Sequence, residues 1–236
     1  MHPRLYTDLA PWYPLLTQPA EYVEEAEDAR ATFHAALGHL PTHVLELGSG
    51  AGHFASQLGI PCTLVDLAPE MLALSAPLNP TMAHHVGDMR TVRLGRTFPA
   101  VLIHDAVNYM TTHADLVAAL RTARAHLEPG GICYVLPDSV RETHEAATEA
   151  DGHDGDDGRA LRYLMWTHAP APGESTYVVD FVLVCTRGES VDVVHDRHVE
   201  GLFSIAEWRA AFTEAGFASV TEVKDRFRDV TFLGRA

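Results

Sequence analysis

The sequence predicts an α/β fold: a mostly parallel sheet with helices on both faces, and an antiparallel meander inserted late in the chain. Three observations carry this. Short apolar runs alternate with helix-like segments over residues 43–136, the pattern of βαβ units. The first of those runs ends in an acid and a glycine-rich turn, Val44-Leu45-Glu46-Leu47-Gly48-Ser49-Gly50-Ala51-Gly52, before a helix begins. Three runs rich in Val, Tyr, Phe and Thr then follow closely at 161–168, 176–186 and 191–199, as strands of an antiparallel meander do.

The elements read in order as follows. Residues 6–14 are an aromatic and proline-rich lead-in, and 21–40 carries apolar residues at helical spacing among acids until Pro41 stops it. Strand 43–47, helix 52–58 and strand 62–67 come next. The helix over 69–75 has Pro69 in its first turn, where a missing N–H costs nothing. A weak strand at 83–86 and a strong one at 100–105 precede an amphipathic helix over 114–127. Glu128-Pro129-Gly130-Gly131 closes that helix, and 132–136 is another buried strand. Residues 141–158 are polar, end in Asp151-Gly152-His153-Asp154-Gly155-Asp156-Asp157-Gly158 and read as a loop. The acids there do not meet calcium-loop spacing. After the meander, Ser204 caps a helix to Ala215, with Glu207 completing a capping box and Gly216 ending it. Strands at 218–224 and 229–234 close the chain, which has no internal repeat.

Composition narrows the function. The net charge is -15, which argues against nucleic acid and anionic membranes as partners, since both require a basic footprint. Cys62, Cys133 and Cys185 are far apart in apolar runs, as buried thiols in a reducing compartment are. The start Met1-His2-Pro3-Arg4 lacks an apolar signal core, and no run reaches the roughly 20 apolar residues of a membrane span. A cytoplasmic protein is the expectation. The 15 histidines are scattered without zinc spacing, so no metal site is expected.

The glycine turn lets backbone approach a nucleotide-like ligand, because glycine has no Cβ and accepts positive φ. A nicotinamide dinucleotide wants glycine or alanine at the sixth position of its fingerprint; here that position is His53. The run Glu46-Leu47-Gly48-Ser49-Gly50-Ala51-Gly52 instead resembles the first motif of the class I S-adenosylmethionine-dependent methyltransferases. Leu64-Val65-Asp66-Leu67, Gly87-Asp88-Met89 and Leu127-Glu128-Pro129-Gly130-Gly131 resemble three further motifs of that family in the right order. The resemblance covers 44–136 well and the C-terminal strands more loosely.

The resemblance implies a Rossmann-like, seven-stranded, mostly parallel sheet and S-adenosylmethionine as cofactor. It implies a cofactor site of Glu46, Gly48, Ser49, Gly50, Gly52, Asp66, Leu67, Met71, Asp88, Met89 and His104. Asp66 would bind the ribose hydroxyls, since a carboxylate accepts two hydrogen bonds at once. Asp88 would recognise the adenine amino group, with Leu67, Met71 and Met89 against the purine. Asp66 and Asp88 also read as turn or cap residues.

His104, after the fourth strand, is the candidate general base, or else a cofactor wall or a structural hydrogen-bonding group. Asp105 and Asn108 line the acceptor pocket, orient His104, or serve the turn. Tyr13 is the second catalytic candidate: Tyr6, Trp12 and Tyr13 resemble the aromatic lead-in that lies across the active site in small-molecule methyltransferases, and otherwise pack the first helix. The expected organisation is one methyltransferase domain over 1–236, with a helical lid at 1–40. Residues 159–200 resemble the antiparallel cap or dimerisation insertion of sugar N-methyltransferases, with Trp166, His168, Tyr177, His195, Arg197 and His198 as its polar and aromatic candidates. The expected activity is methyl transfer to a small molecule by in-line displacement, with a homodimer as the assembly. The alternatives are a cofactor-binding protein without catalysis, and metal-assisted O-methylation using Asp105 and Asp138.

Overall fold

The computed structural model describes residues 3–236. Met1 and His2, which open the stretch read for a signal core, lie outside the described residues. In chain order the elements are α1 (Val23–Leu37), β1 (Val44–Leu47), α2 (His53–Leu58), β2 (Cys62–Asp66), α3 (Pro69–Leu78), β3 (Ala83–Val86), β4 (Phe98–Ile103), α4 (His113–Ala125), β5 (Leu127–Val135), β6 (Ala147–Asp151), β7 (Arg159–Thr167), β8 (Thr176–Arg187), β9 (Ser190–Gly201), α5 (Ile205–Glu214), β10 (Ser219–Val223) and β11 (Thr231–Arg235).

Seven strands form one sheet in the order β10-β11-β5-β4-β1-β2-β3. β1 to β5 are mutually parallel, and β11 enters antiparallel between β5 and β10. The chain runs outward from β1 to β3 and returns to β4 on the other side of β1. A crevice therefore opens beyond the carboxyl ends of β1 and β4, the switch point where such sheets bind ligands. Each face is covered. Phe33, Phe54, Leu58, Leu64, Leu102 and Tyr134 pack α1 and α2 on one side. Phe98, Val101, Leu120, Trp208, Phe212 and Phe232 pack α4 and α5 on the other.

The meander is a separate four-stranded antiparallel sheet, β6-β7-β8-β9. Here the expectation of a loop over 141–158 is corrected, because Ala147–Asp151 is the edge strand of this sheet. It is exposed throughout, so it carries no apolar alternation that could announce a strand. The N-terminal lead-in is a series of short 3-10 turns, Arg4–Tyr6, Ala10–Leu15 and Pro19–Tyr22. Leu5, Leu9 and Leu15 fasten it to Leu161, Leu183 and Cys185 of the second sheet. The capping box at Ser204 and Glu207 is present as expected. All three cysteines are free and buried, and among the described residues no helix is long and apolar enough to cross a membrane.

Candidate active site

The turn after β1 is held by its glycines. Gly48, Gly50 and Gly52 have φ of +79°, +53° and +70°, a left-handed region costly to residues with a Cβ. A Cβ on Gly48 would stand 2.3 Å from that of Ala106, and one on Gly52 2.1 Å from Ser75 Oγ. A Cβ on Gly50 would meet nothing nearer than Met71 Cε at 3.8 Å, because Gly50 faces a cavity. That cavity has a volume of about 1190 Å³, more than a single drug-sized ligand fills.

Asp66, at the end of β2, ties the turn together. Gly50 N–H donates to its Oδ2 at 2.7 Å and Ala68 N–H to its Oδ1 at 2.8 Å. Each oxygen keeps a second lone pair for a ligand, and burial, opposed by these amides, raises the carboxyl's pKa. Asp88 borders the same cavity and accepts the Arg90 guanidinium at 2.6 Å. Leu67, Met71 and Met89 supply apolar wall between them.

Three buried polar atoms at the turn lack a protein partner: Glu46 Oε2, Ser49 Oγ and His53 Nδ1. Buried groups of this kind are costly unless something satisfies them. Burial pushes the Glu46 carboxyl up to about 8 and the His53 imidazole down to about 4. A ligand carrying an ammonium and hydroxyl groups would satisfy all three atoms, and the amino acid and ribose ends of S-adenosylmethionine present those groups. The residues present therefore fit that cofactor. His53, which entered the sequence reading only as a departure from the dinucleotide fingerprint, is part of the site.

His104 sits where the sequence placed it, beyond β4 and against the cavity. Its surroundings decide its protonation. Nδ1 lies 3.0 Å from Asp105 Oδ2 and Nε2 lies 3.0 Å from Glu25 Oε1. Burial lowers its pKa, but the two carboxylates outweigh burial and raise it to about 10. The two carboxylates therefore favour the protonated ring, the form in which both nitrogens donate.

Arg228, from the turn between β10 and β11, completes this cluster. It pairs with Glu25, donates to Asp105 Oδ1 at 2.5 Å and approaches Asp138 Oδ1 at 3.9 Å. Asp105 and Asp138, the pair considered for metal-assisted chemistry, thus meet around a guanidinium. Burial opposes the charge of Asp105, but His104 and Arg228 keep it well below the usual carboxylate range. Burial, then the charges of Asp105 and Glu200, push Asp138 well above that range, although 48% of its side chain is exposed to the open cavity, so water softens that effect. Asn108 donates to Asp138 Oδ2 at 2.5 Å.

The inner face of the second sheet roofs the cavity with Tyr163, Met165, Tyr177, Phe181, His198 and Glu200. Tyr177 donates to Glu200 Oε2 at 2.5 Å. Tyr6 and Tyr109 meet edge-on with their hydroxyls 2.8 Å apart, and Tyr109 OH lies 2.7 Å from His198 Nδ1. Tyr13 borders the cavity against His53, ring centroids 5.6 Å apart. Of the meander candidates, Tyr177 and His198 face inward. Trp166, His168, His195 and Arg197 share the other face, where His168, His195 and Arg197 converge on Asp180 at 2.9, 2.6 and 2.7 Å.

Sequence reasoning missed Glu25 and Arg228. Glu25 carried a signal, since it lies on the buried stripe of α1 with Ala26, Ala29 and Phe33, where an unpaired acid is not expected. Arg228 stands in a polar stretch that gave none.

A switch-point crevice behind a glycine turn, with acids following three successive strands, defines a Rossmann-like protein that binds a nucleoside-bearing cofactor. Comparison with known proteins specifies it. Residues 44–131 match the methyltransferase domain family. The chain is 32% identical over 201 residues to dTDP-3-amino-3,4,6-trideoxy-alpha-D-glucopyranose N,N-dimethyltransferase of Streptomyces venezuelae, covering 83% of each chain. Its structure is similar to that of DesVI from Streptomyces venezuelae, with a TM-score of 0.82 and 27% identity over 97% of this chain and 98% of that one. It is also similar to S-adenosylmethionine-bound CalS10, an amino pentose methyltransferase from Micromonospora echinaspora, with a TM-score of 0.77 and 25% identity over 91% of each. The chain belongs to the class I S-adenosylmethionine-dependent methyltransferases, in the small-molecule group similar to the sugar N-methyltransferases. It transfers a methyl group from that cofactor to a small-molecule acceptor.

Proposed function

We propose that the acceptor is an amine on a small sugar, methylated at nitrogen. The observation that supports this is the concentration of acids around the cavity, which Asp105, Asp138, Glu145, Glu149 and Glu200 all border, with Asp105 held ionised by His104 and Arg228. Carboxylates draw in an ammonium through charge-assisted hydrogen bonds and offer far less to a neutral hydroxyl. The Streptomyces venezuelae relative is named for an amino sugar carried on dTDP, which points to the same class.

When bound, the cofactor supplies an electrophilic methyl on its sulfonium. The chain aligns the nitrogen with it, and alignment alone is worth up to roughly 7–11 kcal/mol. In this reading Glu46 holds the methionine ammonium and Asp66 the ribose hydroxyls. Asp88 faces the adenine amino group, and Leu67, Met71 and Met89 line the purine. Gly48, Ser49, Gly50 and Gly52 carry the backbone close to the ligand. Tyr13 orients the substrates from the lid at 1–40, and His104 acts as a fixed positive post that holds Asp105 and Glu25.

The whole chain works as one domain in this reading, and the segment 159–200 both caps the cavity and pairs two copies. Its outer face carries Val191, Val193 and Val199, exposed by 61%, 66% and 46%, with Val182 and Val184 alongside in register. Val193→Asp should convert a homodimer to a monomer in sedimentation. Free buried thiols support a cytoplasmic setting, and the acidic surface supports small-molecule rather than nucleic-acid substrates.

The deciding experiment compares two dTDP-linked 6-deoxy hexoses, one with an amine in place of the C3 hydroxyl and one that keeps the hydroxyl. Release of S-adenosylhomocysteine with the amine alone supports the reading; equal or faster release with the hydroxyl overturns it.

A further inference from the structure

We infer that Tyr109, His198 and Asp196 form a relay that accepts the proton shed by the acceptor nitrogen. The inference rests on the amine reading above. The groups come from the turn after β4 and from β9, yet they make a continuous chain. Tyr109 OH is 2.7 Å from His198 Nδ1, and His198 Nε2 is 3.2 Å from Asp196 Oδ2. The side chains of His198 and Asp196 are only 1% and 6% exposed, while Tyr109 and His198 both border the cavity. Leu5 N–H donates to the same Asp196 oxygen at 2.7 Å, which fixes the carboxylate from the N-terminal segment.

Direction follows from donor and acceptor chemistry. An ionised Asp196 can only accept, so His198 Nε2 carries a hydrogen toward it, and Nδ1 is the ring atom that takes the proton in the relay. Tyr109 O–H then donates to Nδ1. Tyr6 O–H donates to the Tyr109 oxygen at 2.8 Å, which leaves that oxygen a second lone pair for the cavity. The titratable groups facing His198 are Tyr6 and Tyr109 on one side and Asp196 and Glu200 on the other. Of the other histidines at the cavity, His104 is held between Glu25 and Asp105 and His53 packs against Tyr13 at the cofactor turn.

The step balances. The acceptor ammonium first sheds its proton to solvent in the open cavity, and the freed nitrogen lone pair then forms the N–C bond as the C–S bond breaks and its electron pair goes to sulfur. The new ammonium gives a proton to the Tyr109 oxygen, whose own proton passes to His198 Nδ1. The resulting imidazolium faces Asp196, and solvent takes the proton after the product leaves. An acceptor that receives two methyl groups needs this step between them, because a protonated nitrogen has no lone pair for the second transfer. Tyr109 is the catalytic residue here, and His198 and Asp196 are positioning residues that act through it.

The test uses the full chain with the amino-sugar substrate. Tyr109→Phe and His198→Gln should each lower kcat about 100-fold, the range of one general-base contribution. Acceptor KM and S-adenosylhomocysteine affinity should stay within about twofold. Asp196→Asn, which keeps an oxygen for Leu5, should lower kcat by less. Monomethylated product should accumulate in all three if wild type forms the dimethyl product. If the Tyr109 variant fails to fold by circular dichroism, the His198 variant decides. Undiminished kcat with the amine still turned over overturns the relay and leaves the amine reading standing. A wild-type enzyme that methylates only hydroxyl acceptors overturns both.

Discussion

His104 Nε2 lies 3.0 Å from Oε1 of Glu25, so the first helix and the turn after β4 share a buried ion pair at the floor of the active site. Arg228 joins the same carboxylate from the C-terminal hairpin. Three distant parts of the chain thereby converge on one acid whose side chain is 10% exposed.

Removing that acid should be costly. Glu25→Ala leaves the imidazolium and the guanidinium with Asp105 as their remaining near carboxylate. Breaking a buried pair from one side typically costs about 3–5 kcal/mol, and urea unfolding should show a loss of about 3. Glu25→Gln keeps the shape and one acceptor oxygen and should lose less. A loss below about 1 kcal/mol for Glu25→Ala would show that the pair is not a structural link.

The same pair makes stability depend on alkaline pH. His104 has a pKa raised to about 10 in the folded chain, against about 6.5 unfolded. A group raised in this way contributes stability that is fully present below the unfolded value and is lost as pH rises through the folded one. Thermal midpoints should therefore fall between about pH 6.5 and 10, and His104→Gln should flatten the fall. Parallel curves for the two proteins would place the charge elsewhere.

Glu46 should release a proton when the cofactor site fills. Its carboxyl stands at about 8, so at pH 7 it is mostly protonated, and an ammonium beside Oε2 would ionise it. Calorimetric titration with S-adenosylhomocysteine at pH 7, in buffers of different ionisation enthalpy, should report release approaching one proton per site. Glu46→Gln should abolish the buffer dependence. Identical enthalpies across buffers for wild type would remove the ammonium from Glu46.

The turn glycines should separate folding from binding. Gly48→Ala and Gly52→Ala drive a Cβ into Ala106 and Ser75, so both should lower the thermal midpoint by several degrees. Gly50→Val adds its bulk into the cavity. It should abolish S-adenosylhomocysteine binding at a smaller cost in stability, about the 1–2 kcal/mol of its positive φ. Asp66→Ala should weaken binding by about 1–3 kcal/mol, the usual cost of unpaired polar contacts, and loosen the turn that Gly50 N–H anchors. Retained tight binding by both Gly50→Val and Asp66→Ala would move the cofactor off this turn.

Much of this was legible in the chain. Glu46, Gly48, Gly50, Gly52, Asp66 and Asp88 lie on consecutive strand ends, where local sequence and position along the strand fix which way each group points. The capping box at Ser204 is equally local. The edge strand Ala147–Asp151 was not legible, because an exposed strand paired on one side needs no apolar alternation.

The sequence by itself determined the parallel sheet, its glycine turn and the class of cofactor, since each depends on residues a few positions apart. Only the tertiary structure decided the proton chemistry. His104 is held between two carboxylates because Glu25 arrives from the first helix to face it opposite Asp105, and Tyr109 meets His198 because the second sheet folds over the first. A side chain's charge depends on every group within a few ångströms, and those neighbours are chosen by packing.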